Sequence, residues 1–204
     1  MTPHTILASF ARTAARAPWL IALSLWALAN TSAAQSSATP SSAACPALLQ
    51  HTLLRLQDEK PQSLCQYSGK VILAVNTASF CGFTRQYKGL EDLHQKYQGR
   101  GLVVLGFPSN DFNQEKSSNK EIADFCENTF GVKFPMFAAS SVKGPQANVF
   151  FRDLIAQGAT PPRWNFYKYL ISRDGKLIDS YSSMTEPDSR SFTAVVEKAL
   201  AARP

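Results

Sequence analysis

Apolar and polar positions along the chain fall into uninterrupted, helical and alternating patterns, and their order predicts most of the architecture. Val71-Ile72-Leu73-Ala74-Val75-Asn76, entered through Ser68-Gly69-Lys70, is a largely apolar, partly β-branched run and predicts a strand buried on both faces. From Arg85 the period changes: Tyr87, Leu90, Leu93 and Tyr97 recur at intervals of three or four, which predicts a helix ended by Gly99-Arg100-Gly101. Residues 102–107, Leu102 to Phe107, form a second unbroken apolar run of the kind found in parallel sheets. After a polar loop, Ser118-Asn119-Lys120-Glu121 reads as a capping box opening a helix with Ile122, Phe125 and Cys126 on its apolar side. Residues 134–137 read as a short extended piece, and residues 145–157 as a helix stopped by Gly158. Residues 166–171 and 177–181 read as a hairpin about Arg173-Asp174-Gly175, before a last helix from Asp188-Ser189 that buries Phe192, Val195, Val196 and Leu200. Ahead of all these, Thr52, Leu54 and Leu56 alternate, residues 58–61 turn, and Gln62-Ser63-Leu64 returns, predicting an N-terminal β-hairpin.

A hairpin, a βαβα unit, a further helix and a closing ββα unit describe an α/β chain with a central mixed sheet flanked by helices. With Cys81 at the first strand–helix junction, that order predicts a thioredoxin-like fold. At such a junction, exposed backbone N–H groups and the positive end of a helix dipole stabilise a thiolate, the reactive form of cysteine. The alternative is a small buried hydrophobe, the state of most free cysteines.

The first residues carry different chemistry. Arg12 and Arg16 precede an apolar block, residues 19–29, which is short of the roughly 18 residues a membrane span needs. Small residues follow, so residues 1–34 are expected to be a secretory signal peptide and the product periplasmic or secreted. The lack of acids before Asp58 also suits an organellar transit peptide, but the concentrated apolar block favours export. Residues 35–47 form a Ser/Ala/Pro-rich linker, and residues 48–204 one domain. The formal charge of +6 falls to +4 without Arg12 and Arg16, and its cations are scattered among acids, so no nucleic-acid partner is expected. His51 and His94, the histidines beyond the leader, do not stand at metal-ligand spacing, and neither a metal nor another cofactor is expected.

The candidate chemistry centres on Cys81-Gly82-Phe83-Thr84. A thioredoxin-type exchanger needs cysteine at the fourth position, where Thr84 stands, so a local dithiol cycle is impossible. A thiolate without an adjacent resolving thiol suits attack on a peroxide, giving a sulfenic acid that a second thiol condenses with. The departing oxygen needs fixed donors that do not titrate, and Gln114, Trp164 and Asn165 offer amide and indole N–H groups. Taken singly, Gln114 also reads as loop surface, Trp164 as core and Asn165 as a turn residue.

Together the motifs are more specific. Residues 76–84 (Asn76-Thr77-Ala78-Ser79-Phe80-Cys81-Gly82-Phe83-Thr84), residues 106–112, Gln114-Glu115 and residues 163–170 around Trp164-Asn165-Phe166 closely resemble the glutathione peroxidase family, from about His51 to the last helix. The resemblance implies a catalytic tetrad at Cys81, Gln114, Trp164 and Asn165, with sulfur where some relatives use selenocysteine. It also implies reduction of hydrogen peroxide and organic hydroperoxides, protecting against oxidative stress. Cys126 falls where thioredoxin-dependent members carry a resolving cysteine, which implies a Cys81–Cys126 disulfide reduced by a dithiol protein of thioredoxin type or by glutathione. The loop at Phe112-Asn113-Gln114-Glu115 is one residue shorter than the family's pattern, and Ser109 stands where many relatives have another cysteine. Cys45 and Cys65 lie outside the family's motifs. Four cysteines allow three pairings, of which Cys45–Cys65 as a structural bridge and Cys81–Cys126 as the catalytic one is the favoured set. The short connection over residues 158–163 resembles monomeric members, without the longer insertion of tetrameric glutathione-specific ones. The competing readings are an exported thioredoxin-like thiol–disulfide oxidoreductase and a peroxide-sensing redox module.

Overall fold

A computed structural model describes residues 45–202. The predicted leader, and the predicted linker up to residue 44, lie outside the described residues. Strands β3 (Val71–Thr77) and β4 (Leu102–Pro108) run parallel at the centre, and every residue of both is buried. Their side chains alternate between two covered faces, which is why neither strand shows polar alternation. Val71, Leu73 and Val75 point to one side, where α1 (Gln86–Tyr97) supplies Tyr87, Leu90, Leu93 and Tyr97. On that side α2 (Asn119–Phe130) also buries Ile122 and Cys126, and α4 (Arg190–Ala201) buries Phe192, Val196 and Leu200. Ile72 and Ala74 point the other way, onto Phe150, Phe151 and Leu154 of α3 (Val149–Ala156).

The four-stranded sheet has the order β4-β3-β5-β6, with β5 (Lys168–Ile171) antiparallel to β3 and β6 (Leu177–Tyr181) antiparallel at the edge. The predicted N-terminal hairpin forms as β1 (Thr52–Leu54) and β2 (Pro61–Ser63), a separate two-stranded ribbon. Together these elements are the thioredoxin-like arrangement the sequence predicts.

Three boundaries differ from expectation for identifiable reasons. Pro61 lies in β2 and not in the turn, as an edge strand tolerates a missing donor. The helix expected over residues 145–157 starts only at Val149, because the Asn148 side chain accepts from the Phe151 N–H (3.1 Å) and caps it there. The strand expected from residue 166 begins at Lys168, because Phe166 adopts a left-handed backbone (φ 64°). By contrast Ser118 caps α2 as predicted, accepting from the Glu121 N–H (3.3 Å).

Cys45 and Cys65 form the expected disulfide, with Cα atoms 5.3 Å apart. It ties the residues leading into one 3₁₀ turn, Ala47–Leu49, to a second, Leu64–Tyr67, and Leu48, Leu49, Leu64 and Tyr67 of these turns are buried against the α3 side of the sheet. Closing a loop of sequence separation 20 restricts the unfolded chain and contributes about 3 kcal/mol. The double variant Cys45→Ser/Cys65→Ser is therefore expected to melt about 6–12 °C below the wild type. Reductant should lower the wild-type midpoint and leave that of the variant unchanged. Equal midpoints in oxidising buffer would show that the bridge carries no stability.

Candidate active site

Strand β3 ends at Thr77, and the chain turns through residues 78–85 before entering α1. Thr84 organises this turn. Its hydroxyl accepts from the Cys81 N–H (3.0 Å) and donates to the Ala78 carbonyl (3.0 Å), while its own N–H returns to the Cys81 carbonyl (3.0 Å). The residue that replaces a second cysteine thus clamps the first. Turn residues separate Cys81 from α1, so the N–H aimed at the sulfur is that of Phe83 (3.5 Å), within the turn, and not one from the helix itself. Cys81 is nearly buried, at 9% exposure, beside the outward-facing Phe80.

Gln114 reaches this turn despite the shortened loop. Asn113 takes a left-handed conformation (φ 57°), with its N–H bonded to the Asn110 carbonyl (2.9 Å), and turns the chain sharply enough to absorb the missing residue. The Gln114 carbonyl accepts from the Phe80 N–H (2.9 Å), and the Glu115 carboxylate accepts from the Ser79 N–H (3.1 Å). Two successive residues therefore hold the stretch just before Cys81. Burial pushes the Glu115 pKa up, against its hydrogen bonds with Ser79 and Lys116.

Asn165 arrives from the turn before β5. Fully buried, it donates through Nδ2 to Gln114 Oε1 (2.9 Å), tying residues far apart in sequence. Gln114 Nε2 donates to no described residue, which leaves both its N–H bonds for a ligand. Trp164 is no core residue: it is 40% exposed, its ring 5.4 Å from that of Phe112, and its carbonyl accepts from Asn76 Nδ2 (3.0 Å). Cys126 is 2% exposed in the body of α2, in the same apolar cluster as Cys81. Burial pushes its thiol up to about 11; the Tyr87 hydroxyl pulls it back, and Glu115 raises it further.

The structure thus joins the Cys81 turn, Gln114 and Asn165 by direct bonds, keeps Trp164 at the rim, and sets Cys126 into the adjoining core. Sequence reasoning missed the clamping role of Thr84 and the supporting roles of Glu115 and Asn76. The signal for Asn76 was weak but present: a polar residue closing an otherwise apolar strand.

A family model described as glutathione peroxidase matches residues 50–155. A hydroperoxy fatty acid reductase, gpx1, of Synechocystis sp. is 44% identical over 154 residues, covering 70% of this chain and 90% of that protein. This chain belongs to the glutathione peroxidase family. Sulfur at position 81 makes it a cysteine-type member, and it is a peroxidase that uses a thiol reductant. The glutathione peroxidase-like peroxiredoxin gpx1 of Schizosaccharomyces pombe is 47% identical over 137 residues, covering 65% of this chain and 87% of that one. Among solved structures, Trgpx in apo form is 33% identical with a TM-score of 0.59, over 76% of this chain and 95% of that chain. A thiol:disulfide interchange protein from Chlorobium tepidum TLS is only 18% identical (TM-score 0.57; 74% of this chain, 93% of that one), a likeness of fold alone. The family match ends at residue 155, before Trp164 and Asn165. The Asn165–Gln114 bond, the Asn76–Trp164 bond and the pairing of β5 with β3 connect that later segment to the matched part of this glutathione peroxidase.

Proposed function

We propose that this protein reduces hydrogen peroxide and organic hydroperoxides in a two-cysteine cycle, with Cys81 peroxidatic and Cys126 resolving. The convergence of Gln114 and Asn165 on the Cys81 turn carries the reading. The Cys81 thiolate attacks one peroxide oxygen, the O–O bond breaks, and Cys81 becomes a sulfenic acid while the second oxygen leaves as alcohol or water after gaining a proton. The unengaged Gln114 Nε2 and the Trp164 indole are the donors that meet this developing charge. The Cys126 thiol then condenses with the sulfenic acid, releasing water and forming Cys81–Cys126.

For that step Cys126 must leave its core position, which requires local unwinding of α2. The Cys126 carbonyl is part of the helix's C-terminal closure, accepting from the Val132 N–H (3.2 Å) beyond Gly131. Opening that last part of α2 frees the thiol without disturbing the sheet. It also exposes the thiol to water, which removes the burial that holds its pKa near 11.

A dithiol protein of thioredoxin type then restores both thiols, with glutathione as the alternative reductant. Apolar hydroperoxides suit the rim of Phe80, Trp164 and Phe112, flanked by Lys116 over Phe80 (4.7 Å) and Lys143 over Phe112 (4.2 Å). The leader pattern and the Cys45–Cys65 bridge support an exported protein working in a periplasmic or extracellular space. The short 158–163 connection supports a monomer.

The test is turnover by the full chain with hydrogen peroxide and a fatty-acid hydroperoxide, coupled in one assay to thioredoxin and its reductase and in another to glutathione and its reductase. Faster turnover through thioredoxin is expected. Absence of hydroperoxide-dependent NADPH oxidation in both assays would remove the proposed cycle.

A further inference from the structure

Trp164, Asn165 and Phe166 present three successive backbone carbonyls, and each is taken by a different side chain. Asn76 Nδ2, from the end of β3, donates to the Trp164 carbonyl (3.0 Å). Ser183 Oγ, from the loop between β6 and α4, donates to the Asn165 carbonyl (2.6 Å). Lys168 Nζ, from the first residue of β5, donates to the Phe166 carbonyl (2.8 Å). The limb needs such support because Phe166 is held at φ 64°, a conformation bulky residues avoid. Further bonds complete the frame: the Phe166 N–H donates to the Asn76 carbonyl (2.6 Å), the Tyr167 N–H to Asn76 Oδ1 (3.0 Å), and Gln86 Nε2 of α1 to the Ser183 carbonyl (2.8 Å).

Lys168 is the unusual member. It pairs with Val75 in the middle of the sheet and is fully buried, an expensive place for an ammonium group. Burial pushes its pKa down to about 7, with the Glu186 carboxylate pulling the other way. An apolar side chain of similar length would fill the same space without that cost, so packing does not account for an amine here.

We propose that Lys168 is a positioning residue of the peroxidase site, holding the Phe166 carbonyl inward and so setting Trp164 and Asn165 against Cys81. Asn76 and Ser183 complete the cradle from the two neighbouring elements. This rests on the assignment of Trp164 and Asn165 to the catalytic site. The cradle explains how a limb from a turn stays within hydrogen-bond reach of Gln114, since donors that act on a reacting atom must be fixed before the reaction.

The experiment uses the full chain carrying Trp19→Phe and Trp26→Phe, so that Trp164 is its one tryptophan. Lys168→Met, Ser183→Ala and Asn165→Ala are compared in single-turnover oxidation of reduced Cys81 by hydrogen peroxide, with Trp164 emission recorded before peroxide is added. Lys168→Met is expected to slow Cys81 oxidation about ten- to a hundredfold, the scale of a misplaced reacting geometry, and to shift Trp164 emission. Ser183→Ala, a mild change, is expected to act in the same direction.

A purely structural lysine predicts a different outcome. Because the native pKa lies below the unfolded value near 10.4, the burial penalty is full below pH 7, shrinks as pH rises and vanishes above about 10.5. Relief of that penalty alone would give Lys168→Met greater stability at pH 6 than at pH 9, relative to wild type, with wild-type oxidation and emission. Wild-type oxidation and emission in both Lys168→Met and Ser183→Ala, alongside a slow Asn165→Ala, would overturn the positioning role and leave the tetrad standing. Wild-type oxidation in Asn165→Ala would instead remove the tetrad reading and the role of Lys168 with it.

Discussion

Cys81→Ser is expected to abolish hydroperoxide turnover, lowering kcat/KM by about a thousandfold or more, the scale on which loss of a covalent nucleophile is felt. The substitution changes little else. The N–H groups of Cys81 and Phe83 remain in place, and Thr84 still clamps the turn through backbone groups that the side chain at position 81 does not enter. The fold should persist, with the Cys45–Cys65 bridge intact and a thermal midpoint near that of the wild type. Although Cys81 is nearly buried, the Phe83 N–H that meets its sulfur (3.5 Å) can donate to the serine oxygen instead, so the hydroxyl is not left without a partner. Activity and stability therefore separate at this position. Measured turnover in Cys81→Ser above a few per cent of wild type, with either reductant, would mean that the nucleophile lies elsewhere.

Cys126→Ser separates the two half-reactions. The first oxidation does not involve Cys126, so single-turnover reaction of Cys81 with hydrogen peroxide should keep its wild-type rate. Turnover with a thioredoxin-type reductant should fall to about one per cent or less, because the sulfenic acid has no intramolecular thiol to condense with. The variant should accumulate a sulfenic acid at Cys81 that a 1,3-dione traps, and excess peroxide should carry it to sulfinic acid. Restoration of activity by added glutathione would identify a one-cysteine route that resolution by Cys126 normally outcompetes. Full turnover through the dithiol protein would contradict the resolving role.

Much of this architecture was legible where one physical cause dominated. Strands β3 and β4 are buried on both faces, and their unbroken apolar runs say so directly. Helix α1 declares itself through Tyr87, Leu90, Leu93 and Tyr97, all buried as the helical period requires. Ser118 marks the start of α2 because an N-cap is a local, side-chain-specific event. Phe166 shows where such reading stops. Its side chain belongs to the core, so it extends the apolar pattern of β5 by composition, yet its backbone is turned out of the strand by contacts with Asn76 and Lys168. Hydrophobicity reports burial of the side chain and not the course of the chain.

The site divides the same way. Cys81 and the absence of a partner at Thr84 can be read from a four-residue segment. Whether Gln114 reaches it cannot, since that depends on the left-handed turn at Asn113 and on a bond to a residue beyond α2 and α3. The period-two pattern of β5 places Lys168 on the same face as Leu170, toward the core, so a buried cation was available to be noticed. Its meaning came only with the carbonyl it holds.

The most direct test of the two-cysteine account is to reduce the full chain, remove the reductant, add one equivalent of hydrogen peroxide, quench by alkylation within seconds and map the cysteines by peptide mass spectrometry. Rapid loss of the Cys81 and Cys126 thiols together is expected, with recovery of a Cys81–Cys126 linked peptide pair. A Cys81 thiol that remains alkylatable after peroxide has been consumed, or oxidised Cys81 beside a persistently free Cys126, would contradict it.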